Sequence, residues 1–222
     1  CTGCGKCAEI CRYRAIAMLK QPLVFAELCH GCGGCTLACP AGAIREQDRP
    51  VGMVESGSAR PGTTTPAQVA FVQGRLNVGE PQAPPLIRAV TRKAATTGTV
   101  VLDAPPGTAC PMVAAVRQAD YVLLITEPTP FGLYDLRLAV ATLRQLGLPG
   151  GVVVNRADLG DRRVHDFCSE EQLAVLLELP DDRRVAEAYS RGQLAVAAFP
   201  EWADRMRQLW KRVQVLALPE RA

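Results

Sequence analysis

The sequence has no apolar run long enough to cross a membrane. Its longest apolar stretches, 121–125, 152–154 and 173–179, fall far short of the ~18 residues that a membrane-spanning helix needs. It also has no charged-then-apolar leader at its start. These absences predict a protein with no membrane span, located in the cytoplasm, where thiols stay reduced.

Aromatic residues are scarce, and basic charge has little excess. Phe, Trp and Tyr make up 5% of the chain, and 25 Lys and Arg against 22 Asp and Glu leave a formal net charge of +3. The doublets Arg162-Arg163 and Arg183-Arg184 lie among acidic residues. A nucleic-acid binder shows a basic face interleaved with aromatics, so no nucleic-acid partner is expected. At 48% hydrophobic residues, the 222-residue chain can fill a core.

Cysteine is almost absent after residue 39. Eight of the ten cysteines lie within 1–39, and the rest of the chain holds only Cys110 and Cys168. Disulfides of a small secreted protein would be spread along the chain, so this asymmetry indicates metal binding. Cys110 and Cys168 are unpaired in sequence, and an inert buried thiol is the more frequent role for such residues.

The eight cysteines form two runs with the same spacing, C-x2-C-x2-C-x3-C, over 1–11 and 29–39. Pro40 follows the second run. This is the pattern of bacterial-type ferredoxins that hold two 4Fe-4S clusters. Zinc is the main alternative, but its structural sites use two separated pairs of ligands and not two runs of four. The sequence therefore predicts a two-cluster, α+β ferredoxin domain over 1–48, with internal pseudo-symmetry.

In this pattern the fourth cysteine of each run ligates the other cluster. The predicted ligands of one cluster are Cys1, Cys4, Cys7 and Cys39, and those of the other are Cys29, Cys32, Cys35 and Cys11. Five glycines are expected to let the loops curl around the clusters: Gly3, Gly5, Gly31, Gly33 and Gly34. Arg12 stands where the second run has Pro40, so the usual Cys-Pro turn is missing once. His30 is either a tuning residue through a hydrogen bond or a solvated loop residue.

The remainder, 49–222, is expected to form a second domain of the α/β class. VGMVES and QVAFVQGRLNV alternate like two strands around the turn-prone GSARPGTTTP. From about residue 86, apolar runs alternate with helical stretches, which predicts a mostly parallel sheet with flanking helices. Four buried strands are expected, at TVVLDAPP, YVLLITEP, GVVVNRAD and AVLLELPDD. Ligands of such sheets bind at the carboxyl ends of the strands.

The first of these apolar runs delivers Asp103 to a Pro-Gly loop, where a P-loop ATPase keeps its Mg2+-linked acid and its switch. A structural turn is the alternative. Together with VVVNR, LPDDRRVAEAYSRG, GRLNVGEP, TEPTPFGLYDL and the cysteine runs, the chain resembles the MinD/ParA group of P-loop ATPases, in the subgroup with an inserted ferredoxin domain.

The resemblance implies ATP and Mg2+ as cofactors, and a homodimer. It makes Asp103 the catalytic acid linked to Mg2+, with Pro105, Pro106 and Gly107 as the switch loop. It also implies that Asn155 and Arg156 contact adenine, and that Pro180 and Asp182 close over base and ribose.

The chain departs from this group at one decisive point. It contains no G-x-x-x-x-G-K-[ST] motif, and its nearest glycine-lysine pair, Gly5-Lys6, lies inside a cluster loop. In the group the P-loop precedes the ferredoxin insert. The chain is therefore expected to be truncated at its N-terminus, with ATPase activity confined to the intact parent.

Three functions stay open at this stage. One is an ATP-dependent redox or cluster-handling protein that serves an unidentified redox or iron-sulfur partner protein. The second is a plain electron-carrying ferredoxin whose second domain only docks partners. The third is an interaction protein positioned by ATP.

Overall fold

A computed structural model describes residues 1–59, 69–94 and 97–217. The predicted turn GSARPGTTTP lies mostly outside these residues. Contacts divide the chain into two compact units, Cys1–Val101 and Leu102–Ala222, here named the N-terminal and C-terminal units. The predicted domain boundary after residue 48 stays a prediction.

The N-terminal unit opens with two similar loop-helix segments. Helices α1 (Lys6–Ile10) and α2 (Gly34–Ala38) contact each other. Gly5 and Gly33 precede them with φ of 77° and 72°, a left-handed conformation that side chains disfavour. Of the five predicted loop glycines, only Gly34 lacks a positive φ, because it begins α2.

Between these helices lie two short strands and a single 3-10 turn at Ala26–Leu28. Strands β1 (Ile16–Met18) and β2 (Pro22–Val24) pair antiparallel, with Ile16 opposite Val24. The cysteine-rich part is thus a small α+β structure, as predicted.

A hairpin and a helix complete the N-terminal unit. Strands β3 (Gly52–Ala59) and β4 (Val69–Leu76) pair antiparallel, as the alternating pattern predicts. Helix α3 (Ala83–Lys93), which the sequence did not single out, packs on this hairpin. A Cβ at Gly74 would lie 2.8 Å from Leu86 Cγ, so glycine permits the close approach of α3. The prolines in the first turn of α3 are tolerated because its first amides lack helical partners anyway.

The C-terminal unit is built on a parallel sheet of three strands in the order β5-β6-β7. These strands are β5 (Val122–Thr126), β6 (Gly150–Val154) and β7 (Val175–Glu178). Val152 and Val154 of β6 are fully buried and pack against helices α5 (Pro130–Leu146) and α6 (Arg163–Glu170). Helix α4 (Cys110–Val116) supplies part of a second apolar cluster with Val122 and Leu143. The predicted parallel sheet with flanking helices is confirmed.

Three helices follow the sheet: α7 (Arg183–Ser190), α8 (Ala195–Ala198) and α9 (Pro200–Ala217). Helix α7 begins after Asp182 and ends before Gly192, as its acidic start and glycine end predict. Among the residues that the structure describes, no helix is both long and apolar enough to cross a membrane.

The first of the four predicted strands, TVVLDAPP, does not form. Within the described ranges, residues 97–105 adopt no strand, and Val101 is 84% exposed. A strand exists only where a neighbour accepts and donates its backbone hydrogen bonds, and this segment pairs with none of the seven described strands. Asp103 therefore follows an extended, unpaired segment and not a strand of the sheet.

Candidate metal centre

All eight cysteines of the two runs line one cavity of about 460 Å3 in the N-terminal unit. The two loops, α1 and α2 bring them together, and all eight are free thiols. Cys110 and Cys168 do not line this cavity. The structure thus separates the eight cysteines of the two runs from Cys110 and Cys168, as the sequence spacing predicts.

Backbone amides point at two of the sulfurs in a repeated arrangement. The N–H of Ala15 donates to Cys11 Sγ at 3.3 Å, and the N–H of Ala43 donates to Cys39 Sγ at 3.4 Å. The amides of Ala43 and then Ala41 lower the pKa of the Cys39 thiol, because hydrogen bonds to the sulfur favour its charged form. The thiolate is the form of cysteine that ligates metal.

Two further contacts hold the start of the second run. The rings of Tyr13 and His30 stack with centroids 3.5 Å apart and planes 8° from parallel. The buried side chain of Gln82 donates from Nε2 to the carbonyl oxygen of Cys29 at 2.7 Å. Sequence reasoning missed Tyr13 and Gln82. No local pattern could reveal Gln82, since 53 residues separate it from Cys29.

The donor set fits an iron-sulfur group better than a single metal ion. A zinc ion needs four ligand atoms at about 2.0 to 2.3 Å. Within 1–59, 69–94 and 97–217, no three His, Cys, Asp or Glu side chains are grouped to hold one ion. Eight thiols around a cavity of about 460 Å3 can instead surround larger groups bound by thiolates.

In the C-terminal unit, the parallel strands bring several predicted residues to one edge. The N–H of Asn155 donates to Thr126 O at 2.7 Å, and its Nδ2 lies 3.5 Å from Glu127 Oε1. Arg156, at φ 50°, forms ion pairs with Glu127 at 3.7 Å and Asp181 at 3.2 Å. The ends of β5, β6 and β7 thus meet as the fold requires, and the arginine is held between two carboxylates.

The other predicted nucleotide residues have different environments. Asp182 caps α7 by accepting from Arg184 N at 2.9 Å, and it also accepts from the Arg184 guanidinium at 2.7 Å and from Trp202 Nε1 at 3.4 Å. Arg184 is the main cause that lowers the pKa of Asp182 to about 2. Pro180 lies in the loop between β7 and this cap.

Asp103 is exposed, and the residues after it turn at Gly107, where φ is 85°. Pro105 and Pro106 lie between Asp103 and Gly107. In the described part of the chain, no hydrogen bond or ion pair joins Asp103 to Asn155 or Asp182.

Comparison with known proteins identifies the N-terminal part. Residues 1–44 match the family model of the 4Fe-4S dicluster domain. Two uncharacterized proteins of Methanocaldococcus jannaschii are relatives. One is 28% identical over 126 residues, which cover 55% of this chain and 43% of the relative. The other is 30% identical over 166 residues, which cover 72% and 55%. The chain thus spans about half the length of these relatives.

The crystal structure of the cell division ATPase MinD from Pyrococcus furiosus is a structural neighbour. It superposes with a TM-score of 0.50 at 24% identity, over 59% of this chain and 58% of that one. This likeness concerns the fold. The α/β part of the chain is therefore MinD-like in fold, as the sequence resemblance implies.

Proposed function

We propose that this chain, which joins a ferredoxin-type iron-sulfur domain to a domain of MinD-like fold, carries two 4Fe-4S clusters that serve an ATP-dependent redox or cluster-handling reaction. The observation that carries the proposal is the single cavity lined by all eight cysteines of the two runs. Thiolate-bound clusters of this type supply one-electron transfer when bound. The protein supplies the thiolates and the amides that stabilise them.

The proposed ligand sets are crossed between the runs. One cluster is held by Cys1, Cys4, Cys7 and Cys39, and the other by Cys29, Cys32, Cys35 and Cys11. The stack of Tyr13 on His30 supports this assignment, because it brings the end of the first run against the start of the second. The contact between α1 and α2 supports the interlocking of the runs further, since these helices carry the third cysteine of each run, Cys7 and Cys35.

The proposed nucleotide site lies at the carboxyl edge of the parallel sheet. Asn155 and Arg156 already lie together there, beside Glu127 and Asp181. Asp103 with Pro105, Pro106 and Gly107 is proposed as the Mg2+-linked switch segment, and Pro180 with Asp182 as the loop over the base. Asp103 has no ion-pair partner among the described side chains, which leaves its carboxylate free for a cation.

A plain electron carrier is the second candidate, and one observation favours it. The 222 residues contain no G-x-x-x-x-G-K-[ST] motif, whose amides and lysine hold the phosphates of ATP in P-loop proteins. In that case the MinD-like domain would only dock the partner protein that donates or accepts electrons.

The deciding test is the metal content of anaerobically reconstituted protein. We expect about eight iron atoms and about eight acid-labile sulfides per chain, and a brown absorbance that bleaches on reduction. The matched control is the Cys110→Ala variant, which removes a cysteine outside the cavity and should keep the full content. Stoichiometric zinc without labile sulfide would refute the proposal.

A further inference from the structure

The Cys29-His30 segment is held from two directions by residues that lie far from it in sequence. Tyr13 stacks on the His30 ring at 3.5 Å, and Gln82 donates to the Cys29 carbonyl at 2.7 Å. Tyr13 and His30 both line the cavity that the eight cysteines surround. The segment therefore has a hydrogen-bonded backbone carbonyl and one stacked ring face, both at or next to a proposed cluster ligand.

Gln82 is itself buried and hydrogen-bonded at two points. It is 8% exposed and stands immediately before α3, and its own N–H donates to Glu80 Oε1 at 2.9 Å. The Glu80 side chain is 2% exposed and forms an ion pair with Arg49. Gln82 is thus held at its backbone by Glu80 and at its side-chain amide by the Cys29 carbonyl. It connects the hairpin-α3 part of the N-terminal unit to the cluster loop.

The internal repeat shows that this arrangement is specific to one half. The two runs are offset by 28 residues, as the paired contacts Ala15–Cys11 and Ala43–Cys39 demonstrate. At this offset Tyr13 corresponds to Ala41, and His30 corresponds to Thr2. Neither counterpart has a ring, so the first run cannot form the same stack.

We infer that Gln82 and Tyr13 are positioning residues that make the two clusters inequivalent in reduction potential. The inference rests on the proposed function, and it assigns both residues to the cluster on Cys29, Cys32, Cys35 and Cys11. Gln82 also links Cys29, a proposed ligand of this cluster, to the start of α3. The hairpin-α3 part is therefore coupled to one cluster and not to the other.

The two residues act on the potential in opposite directions. The side-chain Nε2–H of Gln82 withdraws electron density from the Cys29 carbonyl and places a positive dipole end beside this proposed ligand residue, which would stabilise the more negative, reduced form of a cluster bound there. Removing it lowers the potential. The Tyr13 ring, itself 46% exposed, covers one face of the His30 ring next to Cys29, and a less polar surrounding disfavours the extra charge of the reduced form. Removing the Tyr13 ring therefore raises the potential.

The experiment is an EPR-monitored redox titration of the whole reconstituted chain after iron and sulfide have been measured. Gln82→Met keeps the length of the side chain but loses the donor. At the midpoint of the unsubstituted protein, we expect the reduced-to-oxidised ratio of one cluster to fall about tenfold, a shift of about 59 mV for one electron. The other cluster should not move.

Matched controls separate this effect from general disturbance. Gln73→Met removes a glutamine that donates to Glu55 Oε2 at 2.7 Å on the hairpin of the same unit, and both potentials should stay. Tyr13→Ala should raise one potential, whereas Tyr13→Phe, which keeps the ring, should restore it. In a Cys11→Ala background, which lacks the second-run cluster, Gln82→Met should have no effect. In a Cys39→Ala background its effect should persist.

The outcomes distinguish the two levels of the proposal. Full iron and sulfide with equal shifts, or no shift, at both clusters overturns the role of Gln82 and leaves the two-cluster proposal intact. A lack of clusters in the unsubstituted protein removes the proposed function itself. If Gln82→Met assembles no cluster, the comparison of Tyr13→Ala with Tyr13→Phe tests the inference instead. Equal cluster potentials in these two variants would contradict it.

Discussion

Cys110 and Cys168 both stand outside the cysteine runs, yet the fold gives them opposite environments. Cys110 is exposed at the first residue of α4. Cys168 is 1% exposed in the core against β6, and burial raises the pKa of its thiol. Alkylating agents attack the exposed thiolate, so the two cysteines should differ sharply in reactivity.

We expect iodoacetamide at pH 8 to modify Cys110 in the folded, cluster-loaded protein and to leave Cys168 unmodified. Peptide mass spectrometry measures the extent at each site. In denaturant both should react, which shows that the fold alone protects Cys168. Equal labelling of the two in the folded state would contradict the described core.

Asp182 shows at the same scale how a residue expected at a ligand site can have a structural role. Its carboxylate caps α7, pairs with Arg184 and accepts from Trp202. The folded pKa of about 2 lies below the ordinary value of 3.8. Its stabilising effect is therefore complete above pH ~4 and is lost as the pH falls toward 2. A nucleotide at this edge would have to share Asp182 with its helix.

At the scale of elements, α5 offers the clearest single contribution to stability. Thr129 precedes the helix, and its Oγ1 accepts from Gly132 N at 3.0 Å. Pro130 in the first turn costs nothing, because its missing N–H would have had no helical partner. The Leu136 and Val140 side chains of this helix lie in the main apolar cluster. The cap therefore fixes the start of a helix that the core depends on.

Thr129→Ala should destabilise the protein by about 1 kcal/mol, the usual cost of losing such a cap. For a chain of this size the melting temperature should fall by about 2 to 4 °C, measured by thermal unfolding of the reconstituted protein. Thr129→Ser keeps the oxygen and should stay within about 1 °C of the parent. An unchanged melting temperature in the alanine variant would show that the cap contributes nothing.

The segment 97–105 illustrates the opposite case, an apolar pattern without a strand. Its valines satisfy the composition of a buried strand, but Val100 and Val101 are 43% and 84% exposed. Strand formation needs a partner, and β6 is the one neighbour of β5 among the described strands. The segment is apolar as expected, but without a partner strand it forms no ladder of backbone hydrogen bonds.

At the scale of the whole molecule, the nucleotide question can be decided on the chain as it stands. The phosphates of ATP would meet no P-loop amides or lysine, because the chain lacks the motif. Asn155, Arg156 and Asp103 could supply only base and metal contacts. We expect no ATP hydrolysis and only weak ATP binding by these 222 residues, measured by phosphate release and by calorimetry.

The Asp103→Ala variant is the control for this measurement. If the chain does turn over ATP and the substitution abolishes the turnover, then Asp103 acts without a P-loop and the expected inactivity of these 222 residues is wrong. If ATP binds and changes the two cluster potentials, linkage requires that reduction change ATP affinity by the same factor. Equal affinities in both redox states would favour the plain electron carrier.

The sequence by itself determined the parts of this protein that depend on short-range spacing. Cysteines three and four residues apart must lie on one curled loop, and glycines at 5 and 33 can adopt the left-handed turn that such loops need. The apolar runs of β5, β6 and β7 were equally clear, and β6, which is buried over Gly151–Val154, is apolar throughout as a strand covered on both faces requires.

Only the tertiary structure decided which distant residues meet. Gln82 reaches Cys29 across 53 positions, Tyr13 stacks on His30, and Trp202 joins the cap at Asp182. Only the tertiary structure decided the fate of 97–105 as well. These residues have the apolar pattern of a strand, but no described strand pairs with them. The physical reason is that spacing limits only near neighbours, whereas hydrogen bonds, ring stacks and sheet ladders each need a second group that the packed fold alone supplies.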